Sequence, residues 1–433
     1  MSPAEETGAG RASGPSAGAQ SGADPVRRAA HAALLEFARA PGAAEDLVAR
    51  HAAGAFDARD RAFLRELVYG ALRWRNRLDA AYGRFLREPP RRLSAPVREA
   101  LRLGAYQLLF LDRVPAHGAV NTSVALAGGG GGGRRRARGL ANAILRKVAE
   151  AGFGPPADPE ERLVVWESHP RWLVRRWMAA LGPERARLRC EANNREGPVV
   201  LRANPARMGA GELAERLAAE GATTVPGEVD PDCLRVIAGE GDARPAPLTG
   251  TLAFAQGAFT VQDESASLAA RFAGVRPGAR ALDVCAAPGG KAAALAWAAG
   301  SSGLAVAADV SLPRLERLVG NCARIAPLVR ILAMDARRPA FGEVFDAALV
   351  DAPCSGLGVL RRHPDARWRL RERDLERHGR RQREILAGAA RVLRPGGRLV
   401  YAVCSNEPEE TDEVAAEFAA PGFVRETGEA GRD

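Results

Sequence analysis

The stretch that decides the fold is DVCAAPGGK, residues 283–291, which joins a predicted strand at Ala281–Asp283 to a predicted helix at Ala292–Ala299. Glycines at such a junction let the backbone turn tightly and approach a ligand closely, at the first crevice of an α/β sheet. The stretch has neither the G-x-G-x-x-G pattern nor the Walker A spacing. A nicotinamide dehydrogenase and a P-loop NTPase are therefore disfavoured.

Apolar strands alternate with helical segments on both sides of this loop. The predicted strands are Arg280–Val284, Leu304–Asp309, Val329–Met334, Phe345–Val350 and Arg398–Val403. Such alternation is typical of a parallel sheet wound with helices on both faces. The sequence therefore predicts an α/β fold with a Rossmann-like sheet over residues 251–433.

Acidic residues follow the predicted strands at the positions where a nucleotide-type cofactor needs them. Asp309 ends the second strand about 20 residues past the loop, where a carboxylate binds a ribose hydroxyl pair. Asp335 follows the third strand and suits an adenine edge. S-adenosylmethionine fits such a loop, because backbone N–H groups can bind its amino-acid end while an acid binds its ribose. We therefore predict S-adenosylmethionine as the cofactor.

Two cysteines lie just past the ends of neighbouring predicted strands, Cys354 in DAPCSG (351–356) and Cys404 in YAVCS (401–405). In a parallel sheet both belong to the carboxyl edge, where ligands bind. A single cysteine there is usually a small buried hydrophobic residue, but a pair beside a cofactor loop predicts thiol chemistry.

One reaction needs two thiols, an acid and a sulfonium donor. Carbon-5 of a pyrimidine is too weak a nucleophile to attack a methyl sulfonium unaided, whereas a thiolate that adds at carbon-6 creates an enamine that can attack. A carboxyl beside ring N3 supports the adduct, and a second base removes the carbon-5 proton. These residues alone leave open which thiol attacks.

The rest of the chain predicts three further segments. Residues 1–24 form a flexible tail that is too poor in apolar residues to order. Residues 25–152 form an all-helical domain, and residues 160–250 form a small α+β module. The predicted helices of the first domain include Arg27–Ala40, Ala58–Arg77, Pro96–Leu111 and Gly139–Glu150. Gly128–Gly133 and the three arginines after it are predicted to form a flexible basic loop.

Charge and cysteine content narrow the partners and the compartment. The 433 residues include 62 basic and 52 acidic side chains, and this excess favours a polyanionic partner without separating RNA, DNA and anionic membrane. Lys291 in the glycine loop is one of two lysines in the chain, and arginine cannot replace its compact, titratable ammonium. The six cysteines show no metal-ligand spacing, and no apolar run suits a signal peptide or membrane helix. We therefore expect a cytoplasmic monomer with free thiols, no metal and no membrane contact.

The motifs resemble those of a known family. DVCAAPGGK, DAPCSGLG (351–358), RRHPDARW (361–368) and YAVCSNEPEE (401–410) resemble the RNA cytosine-5 methyltransferases of the RsmB/NOP group, over about residues 160–420. FTVQDES (259–265) resembles another characteristic segment of that family, and the RRHPD run is typical of its bacterial ribosomal-RNA branch.

The helical domain resembles a second known module. LVYG (67–70), LGAYQL (103–108), VPAH (114–117) and NAILR (142–146) resemble the NusB-like helical RNA-binding domain. This fusion favours 16S rRNA over tRNA as the substrate. The target would be early-assembly or unfolded RNA, because the base must leave its stack to reach a thiol.

The resemblance also implies roles for individual residues. Cys404 would attack carbon-6, Cys354 would help to resolve the adduct, and Lys291 would lie near the reacting ring. The residues implied to contact S-adenosylmethionine or the target base are Cys285, Ala286, Ala287, Pro288, Gly289, Gly290, Lys291, Asp309, Asp335 and Asp351. DNA cytosine-5 methyltransferases instead use the cysteine of a Pro-Cys pair at this strand end, which by analogy would be Cys354. We favour Cys404 because the wider match is to the RNA family.

Two other functions remain open at this stage, a non-catalytic RNA-binding assembly factor and a tRNA or DNA cytosine methyltransferase. We expect the arginine-rich stretch Arg361–Arg383 to follow RNA phosphates. Members of the family continue past the equivalents of Glu409 and Glu410 into two closing strands. We therefore expect the far edge of the sheet to be incomplete in this chain.

Overall fold

The computed structural model describes residues 24–52, 54, 56–129, 133–237, 248–418 and 422–426. The predicted tail lies outside these residues except for Asp24, as does the centre of the glycine run, 130–132. Contacts divide the described chain into two compact units, one within residues 1–40 and 45–154 and the other within 41–44 and 155–433. No helix among the described residues has both the length and the apolar character to span a bilayer.

The first unit is helical, as the sequence predicts. Its first helix begins at Pro25 because Asp24 caps it, accepting a 2.8 Å hydrogen bond from the Val26 amide. The helices are α1 (Pro25–Arg39), α2 (Ala44–Ala52), α3 (Ala58–Arg73), α4 (Arg75–Gly83), α5 (Ala95–Phe110), α6 (Ala116–Ala127) and α7 (Arg134–Glu150).

Two local predictions in this unit are wrong. The single helix predicted over residues 58–77 divides at Trp74, which leaves helical geometry (φ −102°, ψ 17°) while its ring stacks on Phe110 at 4.9 Å. The arginines at 134–136 form the first turn of α7 instead of a loop. Gly133 makes that start possible because its φ of 106° is accessible to glycine, and arginine is a good helix former.

The second unit contains two sheets with their helices. The strands are β1 (Val199–Ala203), β2 (Thr223–Pro226), β3 (Cys233–Ile237), β4 (Phe259–Val261), β5 (Arg280–Asp283), β6 (Leu304–Asp309), β7 (Arg330–Ala333), β8 (Phe345–Asp351) and β9 (Leu393–Ala402). The helices are α8 (Pro159–Glu161), α9 (Arg171–Leu181), α10 (Pro183–Asn194), α11 (Ala210–Ala219), α12 (Leu252–Ala255), α13 (Glu264–Phe272), α14 (Gly290–Ala299), α15 (Leu312–Ile325), α16 (Ala366–Arg369), α17 (Asp374–Ala390) and α18 (Asp412–Glu417).

The smaller sheet is antiparallel, in the order β2-β3-β1-β4. It extends past residue 250, the boundary that the sequence predicts for the α+β module, because β4 pairs with β1 through Leu201↔Val261 and Ala203↔Phe259. Phe259 is fully buried between this sheet and its helices. The segment that leads into the larger sheet is therefore anchored in the smaller one.

The larger sheet is parallel, in the order β7-β6-β5-β8-β9, which confirms the predicted α/β fold. The strand order reverses beside β5, since β6 lies on one side of it and β8 on the other. Ligands of open α/β sheets bind outside the carboxyl ends of the strands at such a reversal. The ends of β5 and β8 therefore mark the expected binding crevice.

Candidate active site

The glycine-rich loop leaves β5 at Asp283, whose side chain is 1% exposed. Oδ1 of Asp283 accepts a 3.3 Å hydrogen bond from the Cys285 amide. Oδ2 is buried and has no hydrogen-bond partner among the described residues. A buried polar atom without a partner is costly, so this oxygen marks a place where a ligand can supply one.

Burial and a neighbouring acid change the ionisation of this carboxyl. Desolvation, and then repulsion from Asp351, raise the pKa of Asp283 to about 7. Burial also raises the pKa of the Cys285 thiol to about 12, so that this cysteine is a neutral group. Cys285 therefore contributes its backbone to the loop and not a thiolate.

The second predicted acid, Asp309, closes β6 and ties the loop to the next segment. Its carboxylate accepts hydrogen bonds from the amides of Ala287 (3.4 Å) and Ser311 (3.0 Å) and pairs with Arg314 at 3.3 Å. Arg314 also donates to the Ala287 carbonyl at 2.8 Å. Asp309, the residue predicted to bind the ribose, thus lies beside the glycine-rich loop.

Asp335 follows β7 and is half-exposed. Its carboxylate accepts two hydrogen bonds from Nε of Arg337, at 3.0 and 3.1 Å, and one from Nη2 at 2.7 Å. This pairing lowers the pKa of Asp335 to about 2. The sequence did not single out Arg337, although a basic residue two positions after the acid is a visible signal.

The two predicted thiols meet at the carboxyl edge of β8 and β9. These strands pair up to Asp351↔Ala402, and the Sγ atoms of Cys354 and Cys404 lie 2.7 Å apart just beyond. Cys404 is exposed, whereas Cys354 is partly buried. Among the described residues none of the six cysteines is in a disulfide.

The environment makes the two thiols chemically different. The hydrogen bond from Cys354 lowers the pKa of Cys404, and the positive charge of Lys291 acts in the same direction. The same hydrogen bond and burial raise the pKa of Cys354. Cys404 is therefore the better thiolate and Cys354 the better proton donor.

Lys291 links the glycine-rich loop to the edge of the sheet that carries the thiols. Its Nζ donates a 2.6 Å hydrogen bond to Oδ2 of Asp351, the residue that closes β8. The two side chains are 15% and 35% exposed, so that the pair faces the crevice and remains accessible. The structure thus brings together Lys291, Asp351 and both cysteines, all four of which the sequence predicts as reacting residues.

A buried carboxylate behind the thiols was missed by the sequence reasoning. Glu410 is fully buried, and it accepts hydrogen bonds from the amide and the hydroxyl of Ser355, which follows Cys354. The sequence does show one sign of a polar contact behind the thiols, because Ser355 follows Cys354 and Ser405 follows Cys404. Their hydroxyl oxygens lie 3.2 Å apart in the structure.

The arginine-rich stretch does not form one RNA-facing surface. Arg367 is fully buried and donates to Ser168 O and Asn194 Oδ1, so the expectation that it follows phosphates is wrong. Arg362 pairs with Asp263. A polar groove of about 700 Å³ remains along α17, lined by Arg337, Arg373, Asp374, Arg377, Arg380, Arg381 and Glu384.

The chain is similar to known proteins in each of its three parts. A family model described as 16S rRNA methyltransferase RsmB/F matches residues 273–421, a NusB family model matches residues 25–150, and a model of the ferredoxin-like domain of RsmF/B-like methyltransferases matches residues 169–240. The ribosomal RNA small subunit methyltransferase B of Pseudomonas putida is 36% identical over 84% of this chain and 82% of its own length. The probable ribosomal RNA small subunit methyltransferase B of Bacillus subtilis is 33% identical over 83% and 80%. The crystal structure of PH0851 has a TM-score of 0.73 at 26% identity, over 91% of this chain and 89% of that one.

Proposed function

The chain belongs to the RsmB/F family of 16S rRNA methyltransferases, and from this premise we propose that it methylates carbon-5 of a cytosine in 16S rRNA. The observation that carries the proposal is the contact of 2.7 Å between the Sγ atoms of Cys404 and Cys354 at the crevice of the parallel sheet. Two unlike thiols beside a lysine–aspartate pair suit a pyrimidine that must be activated before it can accept a methyl group.

The loop and the acids around it fit S-adenosylmethionine. The partnerless Oδ2 of Asp283 and the backbone of residues 285–290 suit its polar amino-acid end, Asp309 suits the ribose, and Asp335 suits the adenine edge. When bound, S-adenosylmethionine supplies an electrophilic methyl group on a sulfonium. The chain has to hold that methyl group in front of carbon-5 of the target base.

The first chemical task falls to Cys404. Its thiolate adds to carbon-6, forming an S–C6 bond, and the electron pair of the C5–C6 double bond becomes available at carbon-5 for attack on the methyl carbon. Asp351, beside Cys404 and hydrogen-bonded to Lys291, is suited to share a proton with ring N3 as charge develops there. Lys291 holds that carboxylate in place and stabilises the thiolate.

The second task is to release the product. A base has to remove the proton from carbon-5, after which the electrons re-form the C5–C6 double bond, the S–C6 bond breaks, and Cys404 leaves as a thiolate. Cys354 is adjacent to Cys404 and is therefore the group that we assign to this step. Cys354 has to lose its own proton before it can act as this base. Cys404 is bonded to carbon-6 at that stage and cannot accept a proton, so the Cys354 proton passes to solvent at the exposed edge of the crevice.

We assign RNA binding to one basic surface in each of the two units. In the second unit the groove along α17 includes Arg380 and Arg381, for which the described residues provide no ion-pair partner. In the first unit α7 carries arginines over its first turn, and the NusB family model matches this unit. Phosphate contacts of this kind give affinity and orientation without sequence specificity.

The test is methyl transfer by the purified full chain from labelled S-adenosylmethionine to deproteinised 16S rRNA, followed by nucleoside mass spectrometry. We expect 5-methylcytidine, with loss of product in Cys404→Ala and retention in Cys233→Ala, which changes a buried cysteine of β3 in the smaller sheet. Parallel reactions with tRNA and DNA test the other cytosine substrates. Absence of both S-adenosylmethionine binding and methyl transfer would instead support a non-catalytic RNA-binding assembly factor.

A further inference from the structure

Glu410 forms the centre of a buried hydrogen-bond network behind the two thiols. Oε1 accepts from the Ser355 amide at 2.7 Å and from Gln382 Nε2 at 3.2 Å, while Oε2 accepts from the Ser355 hydroxyl. Gln382 also donates to the Pro353 carbonyl at 3.0 Å. Both sides of the turn that carries Cys354 are therefore bound by one cluster.

The same network holds the segment that carries Cys404. The Tyr401 hydroxyl donates to the Glu410 carbonyl at 2.6 Å and lies 3.0 Å from Gln382 Oε1. The hydroxyl oxygens of Ser355 and Ser405, the residues that follow the two cysteines, lie 3.2 Å apart. The distance between the two thiols is thus fixed from behind by residues of β9, α17 and the turn after Cys404.

The surroundings of Glu410 are neutral donors. It is fully buried, and among the described residues no arginine or lysine forms an ion pair with it. A buried carboxylate that accepts three hydrogen bonds stays in place, because leaving these donors unpaired is costly. Its negative charge is close enough to Cys354 to influence that thiol.

We infer that Glu410 is a positioning residue for the methyl transfer proposed above. Through Ser355 and Gln382 it holds Cys354 as a proton donor against Cys404. The inference rests on that proposed function, and it adds a group that does not touch the substrate. The hydrogen bond to Cys404 and burial raise the pKa of Cys354, and the charge of Glu410 acts in the same direction. A Cys354 that keeps its proton can stabilise the Cys404 thiolate.

Other titratable groups face the same network. Asp351 and Lys291 act on Cys404 from β8 and α14. His378 faces Glu410 from α17, and burial lowers the pKa of this histidine. Burial and the charge of Glu410 raise the pKa of Tyr401. An experiment on Glu410 must therefore measure the ionisation of the Cys404 thiol separately from that of these other groups.

Glu410→Gln keeps the shape of the side chain and removes the charge. We expect the methyl-transfer rate to fall by roughly 10- to 100-fold, as for loss of a hydrogen bond to a charged group. We expect the pH midpoint for alkylation of Cys404 by iodoacetamide, followed on the Cys404 peptide by mass spectrometry, to rise by about one unit, because a displaced Cys354 donates less well to the Cys404 thiolate. Loss of the negative charge alone would lower this midpoint, so the direction of the shift distinguishes positioning from a direct charge effect. Glu413→Gln, the same change at an exposed position, is the control and should shift neither value.

A double-mutant cycle separates positioning from a general effect on folding. In a Cys354→Ala background, Glu410→Gln should no longer move the Cys404 midpoint, because the group through which it acts is missing. An equal shift with and without Cys354, or no shift in either background, overturns the inference.

Alkylation requires neither RNA nor S-adenosylmethionine. If the wild-type protein transfers methyl groups but Glu410→Gln leaves the pH midpoint of Cys404 alkylation unchanged, only this inference is refuted. A midpoint that shifts as expected in a protein that forms no methylated RNA refutes only the proposed function.

Discussion

The buried carboxyl of Asp283 permits a quantitative prediction for Asp283→Asn. Its pKa rises from 3.8 to about 7 in the folded protein, and a shift of this size corresponds to about 4 kcal/mol between the two protonation states. Below about pH 4 the carboxyl is protonated in both the folded and the unfolded state, so that its ionisation does not lower the free energy of unfolding. As the pH rises to 7, only the unfolded state has lost its proton, and the stability of the wild-type protein falls.

We therefore expect Asp283→Asn to stabilise the protein at pH 8 by up to about 4 kcal/mol and to have little effect near pH 4. The amide oxygen can still accept from the Cys285 amide, so the loop should keep its conformation. Urea unfolding at the two pH values measures the difference, and hydrogen exchange of the β5 amides localises it.

Asp335→Asn provides a control with the opposite sign. Its pairing with Arg337 lowers the pKa of Asp335 to about 2, so that the ionised group stabilises the folded state above the unfolded pKa and this stabilisation is lost as the pH falls. The effect should be small, because the pair is half-exposed and screened by solvent. An equal gain for Asp283→Asn at both pH values, or no gain at pH 8, would refute the electrostatic reasoning.

Three further outcomes follow from the geometry. A thiol oxidant should join Cys354 and Cys404 in a disulfide, given their 2.7 Å separation, and should abolish activity until dithiothreitol is added; non-reduced peptide mapping detects the bond, and its absence contradicts the contact. Replacing both Arg380 and Arg381 by glutamine should weaken the salt dependence of RNA binding. In a plot of log K against log salt, the slope should become shallower by about 0.7–0.9 for each lost phosphate contact. An unchanged slope, or an equal change for the exposed Arg276→Gln, contradicts RNA binding in the groove. Gly388→Ala should destabilise the protein by about 1–3 kcal/mol, because the added Cβ meets the Ala336 carbonyl oxygen at 2.0 Å, whereas Gly320→Ala, with open space around it, should not; equal unfolding midpoints of the two variants contradict this packing.

The sequence was most predictive where function depends on a short local motif. The stretch at residues 283–291 joins a strand to a helix in the structure, and the acids at 309 and 351 close their strands as predicted. The pattern of apolar residues predicts the ends of the five parallel strands to within a few residues, except that β9 begins earlier, at Leu393. Local patterns of this kind are visible because the chain brings the residues together over short distances.

The features that were missed depend on contacts between distant parts of the chain. Arg367 reads as one more arginine of a basic helix, but its partners at Ser168 and Asn194 lie more than a hundred residues away and bury it. Glu410 likewise reads as part of an exposed acidic run. Its burial follows from Ser355 and Gln382, which only the folded sheet brings to it.

The most direct test of the central claim is to identify the thiol that bonds to the RNA. The full chain would be incubated with S-adenosylmethionine and 16S rRNA containing 5-fluorocytidine, in which loss of a proton from carbon-5 is blocked, and the cross-linked peptide would be identified by mass spectrometry. We predict that the nucleotide is attached to Cys404, that Cys404→Ala forms no adduct, and that Cys354→Ala accumulates one even on unmodified RNA. Attachment to Cys354, or an adduct in Cys404→Ala, would contradict the account.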